Sequence, residues 1–131
     1  MLNLVLISYM LVSVLSHYPY YLSYFNEFIW DRKQAYKYLA DSNIDWGQGR
    51  YELDQYLLAH PDAIYKPQKA RSGNIIVRVN DLVGVTVDPN QYAWLRNNFD
   101  PVGTIADAYL IYKISPNELK KLCATTTYCN K

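Results

Sequence analysis

An uncharged apolar run opens the chain and constrains everything after it. Leu2 to Leu15 is nearly continuous Leu, Val and Ile with Tyr9 and Met10, and no Asp, Glu, Lys or Arg precedes Glu27. Such a run ends either in a protein core or in a membrane. As a helix from Leu2 to His17 it would span about 24 Å at the α-helical rise. A bilayer core is roughly 30 Å thick. The pattern therefore predicts a short or truncated membrane helix over residues 1–17. A signal peptide and a buried soluble helix are the competing readings. A signal peptide wants a basic leading region and a small-x-small cleavage site. No Lys or Arg precedes the run, and Ser13-Val14-Leu15-Ser16 is a poor cleavage site. Pro19 and the belt Tyr18, Tyr20, Tyr21 and Tyr24 follow directly. Aromatic residues there match the headgroup level of a membrane, or else form an aromatic core cluster.

Residues 18–131 read as one further unit. The chain has 131 residues, half of them hydrophobic, and a formal net charge of +1 without a block of like charge. That argues against a nucleic-acid partner, which needs a clustered basic surface. Fourteen Tyr against three Phe suit half-wet places such as membrane interfaces and sugar-facing surfaces. Ala35 to Ala40 alternates weakly, as a short strand does. Trp46 to His60 has helical spacing, with Trp46, Leu53, Tyr56 and Leu57 near one face, and Pro61 stops it. Asp62 to Gly73 reads as a loop. Asn74 to Val79 is the clearest strand, β-branched almost throughout. Asn80-Asp81 breaks it, and Leu82 to Val87 reads as extended. Gln91 to Asn98 predicts a short helix with Tyr92, Trp94 and Leu95 inward. Thr104 to Ile114 reads as extended. Ser115, Pro116 and Glu118 spell an N-cap, an N1 proline and a capping box for a last helix. The sum is an α/β fold: a small three- to four-stranded mixed sheet with flanking helices, preceded by the N-terminal hydrophobic helix.

The densest polar cluster is Asp41-Ser42-Asn43-Ile44-Asp45-Trp46-Gly47-Gln48, at the corner between the first predicted strand and the following helix. Four readings compete. Asp45 as N-cap with Gln48 three residues on resembles a capping box. Asp41, Asn43 and Asp45 have the spacing that opens a calcium loop, with Glu52 at its twelfth place. That loop wants glycine at its sixth place, where Trp46 stands. Asp41 and Asp45 could form a carboxylate pair for glycoside hydrolysis. Last, Trp46 could stack on a sugar while Asp41, Asn43, Asp45 and Gln48 hydrogen-bond its hydroxyls. Neither His17 nor His60 sits in a nucleophile motif, Gly47-Gln48-Gly49 is no phosphate loop, and no residue pattern calls for a cofactor. Cys123 and Cys129, with five residues between them, make no zinc site without further ligands. A disulfide and two free thiols both stay open.

Several segments together resemble one family. They are His17 to Glu27 (HYPYYLSYFNE), Tyr38 to Gln48 (YLADSNIDWGQ), Val77 to Gly84 (VRVNDLVG), Tyr92 to Leu95 (YAWL) and Pro101 to Ile105 (PVGTI). In this order they resemble the C-terminal extracytoplasmic tail of bacterial membrane glycosyltransferases of the dolichyl-phosphate-mannose protein mannosyltransferase type, glycosyltransferase family 39. The likeness runs over residues 10–114, and the DSN-x-DWGQ block is its most specific part. The resemblance implies a polyprenyl-phosphate sugar donor held by a bundle of membrane helices. The family's catalytic carboxylate lies in an early loop with no counterpart in this sequence, so no catalytic residue is carried over. What it implies here is a shortened last membrane helix with a small α/β extracytoplasmic domain over 18–131, on the periplasmic side. The expected work is non-catalytic: packing on the membrane bundle, or helping to receive a glycan acceptor or a polyprenyl-phosphate sugar head group. The alternatives are a stand-alone extracytoplasmic carbohydrate-binding module and a small hydrolase using Asp41 and Asp45.

Overall fold

The computed structural model describes residues 2–16, 18–21, 31–38, 45–126 and 128–129. Helix α1 spans Leu2–Leu15, and a 3-10 helix spans Arg32–Lys37. Then come α2 (Arg50–Ala59), β1 (Ile64–Tyr65), β2 (Gly73–Arg78), α3 (Val79–Val83), α4 (Ala93–Arg96), β3 (Gly103–Ile105), β4 (Tyr109–Ile114) and α5 (Pro116–Thr125). The four strands form one mixed sheet in the order β1-β2-β4-β3. β1 runs parallel to β2, and β4 runs antiparallel to both β2 and β3. The α/β fold with a four-stranded mixed sheet and flanking helices is thus the one expected.

Both faces of the sheet are covered, which explains the unbroken apolar run Ile75-Ile76-Val77 in its centre. Ile75 lies opposite Tyr112 and Val77 opposite Leu110. These four point into the larger core with Ala35, Tyr36, Leu82, Tyr92, Trp94, Leu95 and Leu122. Ile76, opposite Ile111, points the other way. It joins Leu53 of α2, Ile105, Ala108 and Tyr109 in a second cluster. So α2 covers one face, and the 3-10 helix with α3, α4 and α5 covers the other.

Three local expectations are corrected. The strand predicted over 35–40 is the 3-10 helix Arg32–Lys37 where it is described. Its consecutive residues Ala35 and Tyr36 are both buried, which a half-covered strand does not allow because successive side chains alternate faces. The Asp31 side chain caps it by accepting from the Lys33 amide at 3.1 Å. The extended run expected over 82–87 instead begins as α3. This helix starts as β2 ends, where the Val79 amide donates to the Ala108 carbonyl at 2.9 Å. The uninterrupted run 104–114 is a hairpin, β3 and β4 joined through Ala106, Asp107 and Ala108. Ala106 (φ 50°) and Asp107 (φ 53°) take the left-handed backbone that such a tight turn needs. At the other end of β4 the expected cap is in place. The Ser115 hydroxyl accepts from the Glu118 amide at 3.2 Å, and the Glu118 carboxylate accepts from the Ser115 amide at 2.8 Å. Those bonds from Ser115 hold Glu118 below its ordinary carboxylate pKa.

Candidate functional site

Of the polar corner, Asp45, Trp46 and Gln48 lie among the described residues, and Asp41 and Asn43 lie outside them. Asp45 is buried, its side chain fully so. It is not the N-cap of α2, which is Gly49, without a side-chain cap bond. The Asp45 carboxylate turns toward the sheet instead. One oxygen accepts from the Gly47 amide at 2.7 Å, and the other accepts from Nε of Arg78 at the end of β2. The Asn80 side-chain amide donates to the Asp45 carbonyl at 3.3 Å. Gln48 folds back on the corner, its oxygen accepting from the Trp46 amide at 2.7 Å. The helix expected from Trp46 starts at Arg50, because residues 45–49 are used in this turn. Gly47 supplies a φ of 86° with open space around it. Gly49 is buried against the hairpin, and a Cβ there would lie 2.7 Å from the Ala106 Cβ.

The arrangement ties the corner to the sheet with charge. The hydrogen bond from Arg78 to Asp45 holds the guanidinium above its ordinary pKa. A second buried carboxylate lies nearby on α3. Asp81 is paired with the Lys66 ammonium at 2.6 Å and accepts from the Thr86 hydroxyl. Burial pulls the Lys66 ammonium down, but Asp81 and Tyr65 together more than offset this and leave it above its ordinary value. A carboxylate clamped by a guanidinium and an amide is poorly placed to shuttle protons. What the corner offers outward is Trp46, whose residue surface is 70% exposed. Among the described residues, no three His, Cys, Asp or Glu gather as a metal site.

Two further features bear on function. Between α2, the β3–β4 turn and the residues just past α1 lies an open cleft of about 710 Å³, lined among others by Tyr20, Arg32, Glu52, Tyr56 and Asp107. The sequence offers Glu52 only as the twelfth residue of a calcium loop, and nothing in it singles out Arg32 or Asp107. The only sequence signal was spacing: Glu52 and Tyr56 are four apart and share a helix face. The other feature is α1. Leu4, Val5, Leu6, Ile7, Met10, Leu11, Val12, Val14 and Leu15 are each at least half exposed. These residues cover every side of the helix. At 14 residues it is about 21 Å long, and no helix among the described residues is long and apolar enough to cross a membrane. At the far end of the chain Cys123 and Cys129 are joined by a disulfide, with Cα atoms 5.3 Å apart. That spacing is ordinary for a disulfide.

Comparison with protein-family models, with curated proteins and with solved structures finds no match to this chain.

Proposed function

We propose that this chain serves as a non-catalytic, extracytoplasmic domain of a polyprenyl-phosphate-dependent membrane glycosyltransferase, seated on its membrane helices or the surrounding lipid through α1. The observation that carries the reading is the surface of α1. A helix apolar on all sides is stable only in apolar surroundings, and exposed apolar area of this size marks an interaction surface. The length of α1 fits a segment that enters the apolar layer without crossing it. Tyr18 and Tyr21 stand exposed just past its end, where amphipathic rings favour the headgroup level. The disulfide supports an oxidising compartment such as the periplasm. The clamped state of Asp45 supports a corner that holds the fold rather than one that does chemistry.

The test is flotation of the purified chain with lipid vesicles. The wild type is expected to float. Leu6→Lys combined with Leu11→Lys places two charges in the apolar layer. At about 2.5 kcal/mol or more for each near a membrane centre, the pair should lower partition by a factor of 100 or more. Equal flotation of both proteins, or a wild type that stays in water, would count against the reading. The chain alone should transfer no sugar from a polyprenyl-phosphate donor, and turnover would overturn its non-catalytic part. Exposed Trp46 favours a second reading, a carbohydrate-binding module. Glycan binding that is lost in Trp46→Ala would support it.

A further inference from the structure

We propose that the cleft beside α2 binds an ammonium group, and that a zwitterionic lipid headgroup supplies it. The ammonium site stands on its own geometry, and only the lipid source rests on the membrane reading of α1.

Charge accounting selects the ligand. Among the described residues the titratable acids and bases lining the cleft are the carboxylates Glu52 and Asp107, the Arg32 guanidinium and the His60 imidazole, which lies 3.0 Å from the Tyr56 carbonyl. Arg32 is already engaged. It lies 3.5 Å from the Asp107 carboxylate and donates to the Ser16 carbonyl at 3.0 Å. Asp107 also accepts from the Thr104 hydroxyl at 3.0 Å. Glu52 has neither an ion pair nor a hydrogen bond among the described residues, and one of its oxygens is sealed from solvent without a partner. Buried polar atoms are nearly always satisfied, so an unsatisfied one calls for an explanation. Among the described residues the Glu52 carboxylate is left without a cationic partner. An anionic ligand would be repelled by it. A neutral polyol would supply hydrogen bonds but leave the charge. An ammonium offsets the charge and brings up to three donors to the carboxylate oxygen that faces the cleft.

The walls agree. Tyr20 and Tyr56 border the cleft, and aromatic faces attract cations. Burial pushes the Tyr20 phenol above its ordinary pKa, and the charges of Glu52 and Asp107 add to the shift, as a region of negative potential requires. Asp107 is held at the rim by the left-handed β3–β4 turn. Tyr18 and Tyr20 come directly after the apolar helix, so the mouth of the cleft lies at the depth of lipid headgroups when α1 is in lipid. Phosphatidylethanolamine carries a primary ammonium at that depth.

The experiment titrates the full chain, held in nonionic detergent, with ethanolamine, phosphoethanolamine, glycerol phosphate and methyl glucoside, followed by NMR. The two amines are expected to bind at one site, with shifts on α2 and the β3–β4 turn. Glu52→Gln keeps the shape and removes the charge, and should weaken them at least tenfold. Asp54→Asn, close by in sequence but paired with Arg50, should leave binding unchanged. Circular dichroism of each variant confirms the fold. No amine binding, equal binding by Glu52→Gln, or equal binding of methyl glucoside would overturn the ammonium site. The source is tested with vesicles: phosphatidylethanolamine should bind wild type more tightly than phosphatidylglycerol, and Glu52→Gln should erase the difference. Amine binding without a lipid preference would overturn the lipid source alone. Failure of wild type to float on any vesicle would instead strike the membrane reading of α1.

Discussion

Asp45→Ala should lower the free energy of unfolding by about 3 kcal/mol, near the lower end for breaking a buried ion pair. The Asp45 side chain is fully buried, and the Arg78 side chain is 25% exposed. Removing the carboxylate strands the guanidinium and also deprives the Gly47 amide of its acceptor. Partial access of water to Arg78 keeps the loss from being larger. The effect belongs to the pair and not to either residue. Adding Arg78→Met to Asp45→Ala should therefore recover a large part of the loss, because the double variant no longer buries an unmatched charge. Chemical denaturation of the two single variants and the double variant, followed by tryptophan fluorescence, measures this. Additive losses would mean that the two side chains are not coupled. A loss of this size is a large fraction of the roughly 5–15 kcal/mol typical of a domain.

Gly84→Ala should cost a similar amount, about 3 kcal/mol, for a different reason: a left-handed backbone and a steric contact. Gly84 ends α3 with φ 85°. Its amide donates to the Asp81 carbonyl at 3.2 Å, and the Val85 amide donates to the Asn80 carbonyl at 2.9 Å. This pairing is the Schellman closure, which glycine favours. Alanine adds roughly 1–2 kcal/mol for the left-handed backbone. It also places a Cβ 2.5 Å from the Pro89 Cα, so a neighbouring segment of backbone must move, at roughly 1–3 kcal/mol. Gly47→Ala separates the two contributions. Gly47 has φ 86°, but a Cβ added there would meet nothing within 4 Å, so it should show the conformational cost alone. The same denaturation measurement on both variants gives the comparison. Equal losses at the two glycines would mean that the contact with Pro89 is relieved without effort.

Much of the fold was legible where the signal is local. The β-branched run at 74–79 announces β2, and Ser115, Pro116 and Glu118 announce α5 through a capping bond made within four residues. Legibility fails where distant residues decide. β1 is two residues long and exists because β2 lies alongside to receive it. The hairpin turn was hidden because Ala106 and Asp107 stand where glycine or asparagine normally signals a left-handed turn. Asp45 illustrates the limit most clearly. Its local sequence reads as a helix cap, but its partner Arg78 lies 33 positions away, and a fully satisfied long-range pair displaced the local bond. Glu52 was invisible as a cleft residue for the same reason, since Arg32 and Asp107 reach the cleft from other elements.

On the proposed reading, α1 lies in an apolar layer while the sheet domain stays in water. Single spin labels on Leu6→Cys and Leu11→Cys, with Leu58→Cys as a reference on the exposed surface of α2, test it in vesicles with the Cys123–Cys129 disulfide intact. Labels at positions 6 and 11 should relax readily with dissolved oxygen and resist a water-soluble relaxation agent, and the label at position 58 should do the reverse. Labels at 6 and 11 as open to the water-soluble agent as that at 58 would contradict the claim.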